Sequence, residues 1–331
     1  MRNKIDSLVS RTGIARPYGS ITDLYRGYDH RSSGSPFIRD TTHQGYTFFS
    51  RPLINLSREN IYMHDDLSKL LDTNPQSPYA YIRAVLDPLG RYPHDLFDHR
   101  QAFIPPLTNM LISHSGWPDR AIDTYTSPAG VMKESWGMVD GTYEDNEPRD
   151  ITATFYNHEG NIIGELIDSW VVYSGSVYIG DCYPYPAAIR HNFIDYQTRQ
   201  WRILLDKNMK IVKGIASFVA GSPTVSPVAA RFNYNRETPY LTDSDRIDVQ
   251  FRSYGVEYNS PILYEEFNST VAWFNPSLLT NPGQWTKVED DEINYFNWAN
   301  LYPWIDTETK EFMWFVDNFE RNRVLVEHDL V

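Results

Sequence analysis

Two segments far apart in the chain alternate apolar and polar side chains residue by residue, and a period of two marks a strand with one buried face. In the first, Ile151, Ala153 and Phe155 alternate with Thr152, Thr154 and Tyr156. In the second, from Asp245 to Tyr254, Ile247, Val249 and Phe251 alternate with Arg246, Asp248, Gln250 and Arg252, a polar face that should meet water or a lumen. Aromatic residues make up 15% of the 331, supplied by 23 Tyr, 16 Phe and 9 Trp, and residues of this kind favour strands and contact surfaces.

The stretch between these strands completes a β-rich unit. Ile162, Ile163, Leu166, Ile167, Trp170 and Val171 recur at three- and four-residue spacing, with Glu165, Asp168 and Ser169 opposite, which predicts an amphipathic helix. After a Tyr/Pro-rich loop over 181–186, Tyr196 to Leu205 reads as a strand with Trp201, Ile203 and Leu205 on one face. The turn at Asp206-Lys207-Asn208 leads into a partner strand, Lys210 to Val219, and Pro223 and Pro227 interrupt the chain beyond it. Lys133 to Thr142 is read as a further strand ahead of the helix.

The flanks differ in character. Residues 1–56 are rich in Gly, Ser, Arg and Tyr with little periodicity, predicting an extended arm that gains order on a neighbour, with a net charge of +3 up to Arg31. Ser57 opens a short helix carrying Ile61, Leu67, Leu70 and Leu71, and Ser77 with Pro78 at the first helical position opens a second, ended by Pro88 and Gly90. Residues 91–125, with four prolines, read as a connecting segment. Residues 259–331 are acidic and dense in aromatics, expected to pack on the β unit or on a neighbouring subunit, with Glu311 to Arg321 as a helix. Three regions result: 1–125 as an interaction region of arm and short helices, 126–258 as the β domain, and 259–331 as the acidic aromatic region.

Charge and motifs narrow the function. The net charge of −13 is spread as +1, −5 and −9 over those regions, a balance that repels nucleic acid. No run of about 18 apolar residues and no apolar stretch after Met1 predicts a membrane span or a secretory leader, so the expected place of synthesis is the cytosol. A lone Cys182 builds neither a disulfide nor a cysteine zinc site and is read as a buried apolar residue. No phosphate-cradling glycine loop, dinucleotide fingerprint or Gly-x-Ser-x-Gly elbow is present. His94-Asp95-Leu96-Phe97-Asp98-His99 and His64-Asp65-Asp66 carry metal-ligand types without helical zinc spacing, and read as loops and caps. Asp243 with Asp245, Glu265 with Glu266, and the run Glu289-Asp290-Asp291-Glu292 read as solvated surface rather than acid pairs. No catalytic residue, metal or cofactor is assigned.

The order strand, strand, amphipathic helix, long loop, hairpin and final alternating strand resembles the tail-tube fold of long-tailed bacteriophages and contractile injection systems. The resemblance is carried by Asp150 to Phe155, Glu165 to Trp170, Trp201 to Leu205 and Ile247 to Phe251, and covers about 40% of the chain. It implies a β-rich α+β fold: an antiparallel tail-tube-like barrel or sandwich, one flanking amphipathic helix, and N- and C-terminal additions. It further implies a virion structural protein, not an enzyme, assembled in the host cytoplasm into a hexameric ring of the tube or of its baseplate-proximal end. In such a ring neighbouring strands join into one barrel, with other tail or baseplate proteins, a sheath or a tape-measure protein as partners, and DNA passes an acidic wall without specific binding. Ile151, Phe155, Ile162, Leu166, Ile167, Trp170, Trp201, Ile203, Ile247, Asp248, Gln250 and Phe251 are the assembly and barrel candidates. Two other readings stay open, a carbohydrate- or receptor-binding β module of a virion, motivated by the aromatics, and a glycan-cleaving enzyme using an acid pair.

Overall fold

The computed structural model describes residues 44–131, 133, 135–142, 147–158, 160–232, 246–297 and 300–327. The arm up to residue 43, Asp243 and Asp245 lie outside them. In chain order the elements are β1 (Gln44–Phe49), α1 (Arg58–Met63), a 3-10 turn (Asp65–Leu71), α2 (Pro78–Leu86), α3 (Pro105–Asn109), β2 (Leu111–Ser115), β3 (Thr124–Thr126), β4 (Gly137–Val139) and β5 (Arg149–Tyr156). Then come α4 (Ile162–Ile179), α5 (Pro186–His191), β6 (Thr198–Leu205), β7 (Val212–Pro223), a 3-10 turn (Pro227–Phe232) and β8 (Arg246–Tyr258). The last part holds α6 (Ile262–Phe274), α7 (Ser277–Thr280), β9 (Trp285–Lys287), β10 (Tyr302–Ile305), β11 (Phe312–Asp317) and α8 (Asn318–Glu327), with short 3-10 turns either side of β9.

Six strands form one antiparallel sheet in the order β1-β6-β7-β8-β5-β2. The two alternating segments lie side by side in it, Ile151 opposite Phe251, Ala153 opposite Val249 and Phe155 opposite Ile247. Their apolar residues therefore share a face and their polar residues the other. The sheet curls until its edges meet: the Phe49 ring of β1 lies 5.7 Å from the His114 ring of β2, and His114 Nε2 lies 3.1 Å from Gln200 Oε1 on β6. A nearly closed, barrel-like sheet beside helices is the β-rich α+β class expected.

Two apolar clusters hold it. On the inner face Phe49, Ile151, Phe155, Phe218, Val249 and Phe251 pack with Leu166, Ile167 and Trp170 of α4 and Ile82 and Val85 of α2. On the outer face of β1, β6 and β7, Phe48, Trp201, Ile203 and Ile215 pack beneath Phe267 of α6 and Trp314 and Val316 of β11. Each fully buried side chain of this size is worth about 1.5–3 kcal/mol, so the dense aromatics of 259–331 act as a second core layer of their own chain.

Several local expectations are corrected. Residues 44–56 are not arm: β1 buries Phe48 on one side and Phe49 on the other, which erases the period of two. Within 91–125, read as connection, lie α3, β2 and β3, and the sheet takes both its edge strands from outside 126–258. The strand expected over Lys133 to Thr142 shrinks to β4, paired with β3 in a separate ribbon. β7 continues through Pro223, and α5 stands between the Tyr/Pro-rich loop and β6. Glu311 to Arg321 is a strand and then a helix, because Phe312, Trp314 and Val316 alternate into the outer core.

The caps keep closer to the sequence pattern. Ser57 Oγ accepts from Asn60 N at 3.3 Å, and Ser77 occupies the N-cap before Pro78 without a side-chain capping bond. α4 runs on to Ile179, where Gly180 at φ 88° turns the chain, a left-handed end that glycine adopts without strain. Its supposed solvent face is covered. Glu165 and Ser169 are buried, Lys69 Nζ reaches Glu165 at 2.9 Å and Asp168 at 2.6 Å, and Ser226 Oγ donates to Asp168 at 2.7 Å. Burial works against the Lys69 charge, but hydrogen bonds to Asp168 and Glu165 outweigh it and hold its pKa above the ordinary value.

Candidate functional site

The expected assembly residues fall into three places. Ile151, Phe155, Leu166, Ile167, Trp170, Ile247 and Phe251 meet in the inner cluster, with Ile162 half-buried at its rim. Trp201 and Ile203 point the opposite way, under the C-terminal layer. Asp248 and Gln250 alone are exposed, on the outer face of β8.

That outer face of β5 and β8 is exposed among the described residues. Asp150, Tyr156, Arg246, Asp248, Gln250 and Arg252 are exposed on it. Arg252 Nη1 donates to Asp150 Oδ1 at 2.8 Å, Thr154 Oγ1 donates to Asp248 Oδ1 at 2.6 Å, and Arg149 stands 3.8 Å from Glu147. Both signs are present and largely paired within the face, so it offers phosphate no run of free cations.

Sharing of strands around a ring is constrained by pairing. β5, β6, β7 and β8 each lie between two strands of their own chain, so none of these four offers a free edge. Only β1 and β2 are edges of this sheet, and the end of β1 is closed by Ile104 N donating to Phe49 O at 3.0 Å. A second exposed β element is the ribbon of β3 and β4, in which Thr124, Tyr125 and Thr126 pair with Val139, Met138 and Gly137. All its strand residues are exposed. Sequence reading missed the ribbon because three-residue strands carry too few residues for a period to show.

The residues flagged for chemistry have structural work. Asp98 accepts from Arg100 at 2.8 Å and from the Tyr302 hydroxyl at 2.7 Å; burial pushes its pKa up, but these bonds outweigh that and hold it below the ordinary value. His94 Nε2 lies 3.0 Å from Pro75 O, and Glu266 pairs with Arg199 while Glu265 is exposed. Among the described residues no three His, Cys, Asp or Glu side chains are grouped to hold a metal, and no helix is long and apolar enough to cross a membrane. The exposed tryptophans among them, Trp136 and Trp273, sit on different elements and form no row on a sheet face.

No curated protein matches the sequence. Among solved structures, the cap of the anti-feeding prophage (AFP tube terminating cap) is 15% identical, with 50% of this chain and 85% of that chain covered and a TM-score of 0.29. The sheath/tube terminator of the extracellular contractile injection system PVC, in its extended state, is 11% identical, with 46% and 87% covered and a TM-score of 0.27. The sheath-tube complex of PVC is 15% identical, with 46% and 82% covered and a TM-score of 0.29. These likenesses are too distant to bear on function. The sequence itself matches the model of a family described as "Putative phage tail tube protein" over residues 2–331. Because that match takes in the curled sheet and the C-terminal layer together, the chain as a whole belongs to the phage tail tube protein family and is a structural component of a virion tail.

Proposed function

We propose that this protein forms a ring of the tail tube, or of its baseplate-proximal end, through which DNA leaves the virion. The family match over residues 2–331 is the observation that carries the reading. The uncovered face of β5 and β8 supports it, since a conduit wall must be wetted yet must not grip phosphate, and paired charges meet both needs. Six copies per ring, with sheath, tape-measure or other tail and baseplate proteins as neighbours, is the arrangement proposed, and the chain acts in it by assembly rather than by turnover.

Negative-stain imaging of the purified full-length chain, alone and with its tail neighbours, tests this. Rings or stacked tubes with a central channel are expected. Particles that stay monomeric with those neighbours present would overturn the reading.

A further inference from the structure

The β3–β4 ribbon has no interior of its own. Ile122, Tyr125, Met138 and Val139 are exposed, and Trp136 is 59% exposed. A two-stranded ribbon with its side chains exposed is marginal in water, and large apolar side chains exposed together mark a contact surface. Carboxylates gather at its base: Asp119 precedes it, Asp123 and Asp140 face each other with Asp140 N donating to Asp123 O at 2.8 Å, Arg120 is turned to Glu257 at 4.0 Å, and Lys133 lies away in the connecting turn. None of the three carboxylates is in an ion pair among the described residues.

A second surface has the complementary character. At the end of α4 and just beyond it, Tyr178, Ile179, Tyr183 and Ile189 are exposed, and Arg190, next to Ile189 in the last turn of α5, has no ion pair among the described residues. Phe193 and Ile194 continue this surface into a groove of about 420 Å³. Its other wall is Val219 of β7 and Trp273 of α6, the latter 55% exposed, with the Arg199–Glu266 ion pair on the rim.

We propose that ribbon and groove are the two halves of one contact between copies of this chain. Trp136 of one copy enters the groove between Phe193 and Trp273 of the next, and Asp123 and Asp140 face Arg190. The opposite charges set direction and register, and the apolar pair supplies the attraction. The inference rests on the ring reading and deepens it, because two different patches in contact give a head-to-tail association that closes into rings or propagates as stacks.

Two full-length variants separate the halves. Trp136→Ala removes the insert and keeps the groove; Arg190→Glu with Trp273→Ala spoils the groove and keeps the ribbon. Each alone is expected to self-associate at least about tenfold more weakly than the unmodified chain in sedimentation velocity, with unchanged circular dichroism because all three side chains are exposed. Mixed in equal amounts they should form a dimer and stop, since the mixture holds one intact ribbon and one intact groove per pair. Asp123→Arg should restore association to Arg190→Glu. If the unmodified chain forms rings while the mixture yields no dimer, or while each variant assembles as well as the unmodified chain, the pairing is overturned and the ring reading stands. An unmodified chain that remains monomeric even with its tail neighbours present sinks both.

Discussion

The guanidinium of Arg51 lies beneath the surface and donates only to main-chain carbonyls: Val85 O at 2.6 Å, His99 O at 2.7 Å, Gln101 O at 3.1 Å, Ala84 O at 3.2 Å and Asp87 O at 2.5 Å. It satisfies the carbonyls at the end of α2 and ties them to the segment that closes β1, a task for a planar group with five donors. Burial lowers its pKa to about 10, with the charge of Asp87 opposing, so it stays protonated at neutral pH. Arg51→Met should cost about 3–5 kcal/mol in denaturant unfolding, and Arg51→Lys should recover only part of it. His114 is the second such residue. Its Nδ1 accepts from Trp117 Nε1 at 3.2 Å, a role only the neutral ring can fill, and burial lowers its pKa from 6.5 to about 4. The unfolded chain therefore takes up this proton first as pH falls. Stability from this residue is whole above about pH 6.5 and drains away between pH 6.5 and 4, by roughly 3 kcal/mol. Unfolding midpoints of His114→Phe should lose that part of the slope; an unchanged slope would assign it to other groups.

At the scale of elements, α4 and β1 show how differently two segments can be held. The first turns of α4 are clamped on both flanks: Trp170 Nε1 donates to Tyr196 O at 2.7 Å and its ring is fully buried, while Lys69 neutralises the acidic flank. Trp170→Asp would bury a carboxylate and vacate the volume of an indole, so a loss of more than about 4 kcal/mol is expected, read as failure to fold in circular dichroism. β1 depends instead on close approach. A Cβ on Gly45 would stand 1.9 Å from Ile203 O, so Gly45→Ala must push β1 off β6, at about 2 kcal/mol. Amide hydrogen exchange should then quicken in β1 while β5 and β8 keep their protection.

For the whole molecule, one sheet is shared by two cores, and the outer side of β5 and β8 stays exposed among the described residues. A conduit built on that face depends on its charge balance, so Asp248→Lys with Gln250→Lys should fold normally, both side chains being exposed, and assembled particles should release DNA more slowly. The delay should shrink as salt rises, because released counterions drive phosphate binding. Release at the unmodified rate at low salt would place this face away from the DNA path. The sequence alone determined β5, β8, the start of α4 and the β6–β7 hairpin, because each pairs an apolar period with polar neighbours, and such a period is a local property of the chain. Tertiary structure alone decided the rest. β1 and β11 lie in layers whose coverage comes from residues far away, so Phe48 and Phe49 are both core and no alternation marks them. Edges, too, are settled by pairing and not by composition: β5 and β8 look in sequence like strands open to a neighbour, yet each is enclosed by its own chain. Local patterns specify which side chains seek burial, and only the packed whole specifies which partner buries them and which face is left over for assembly.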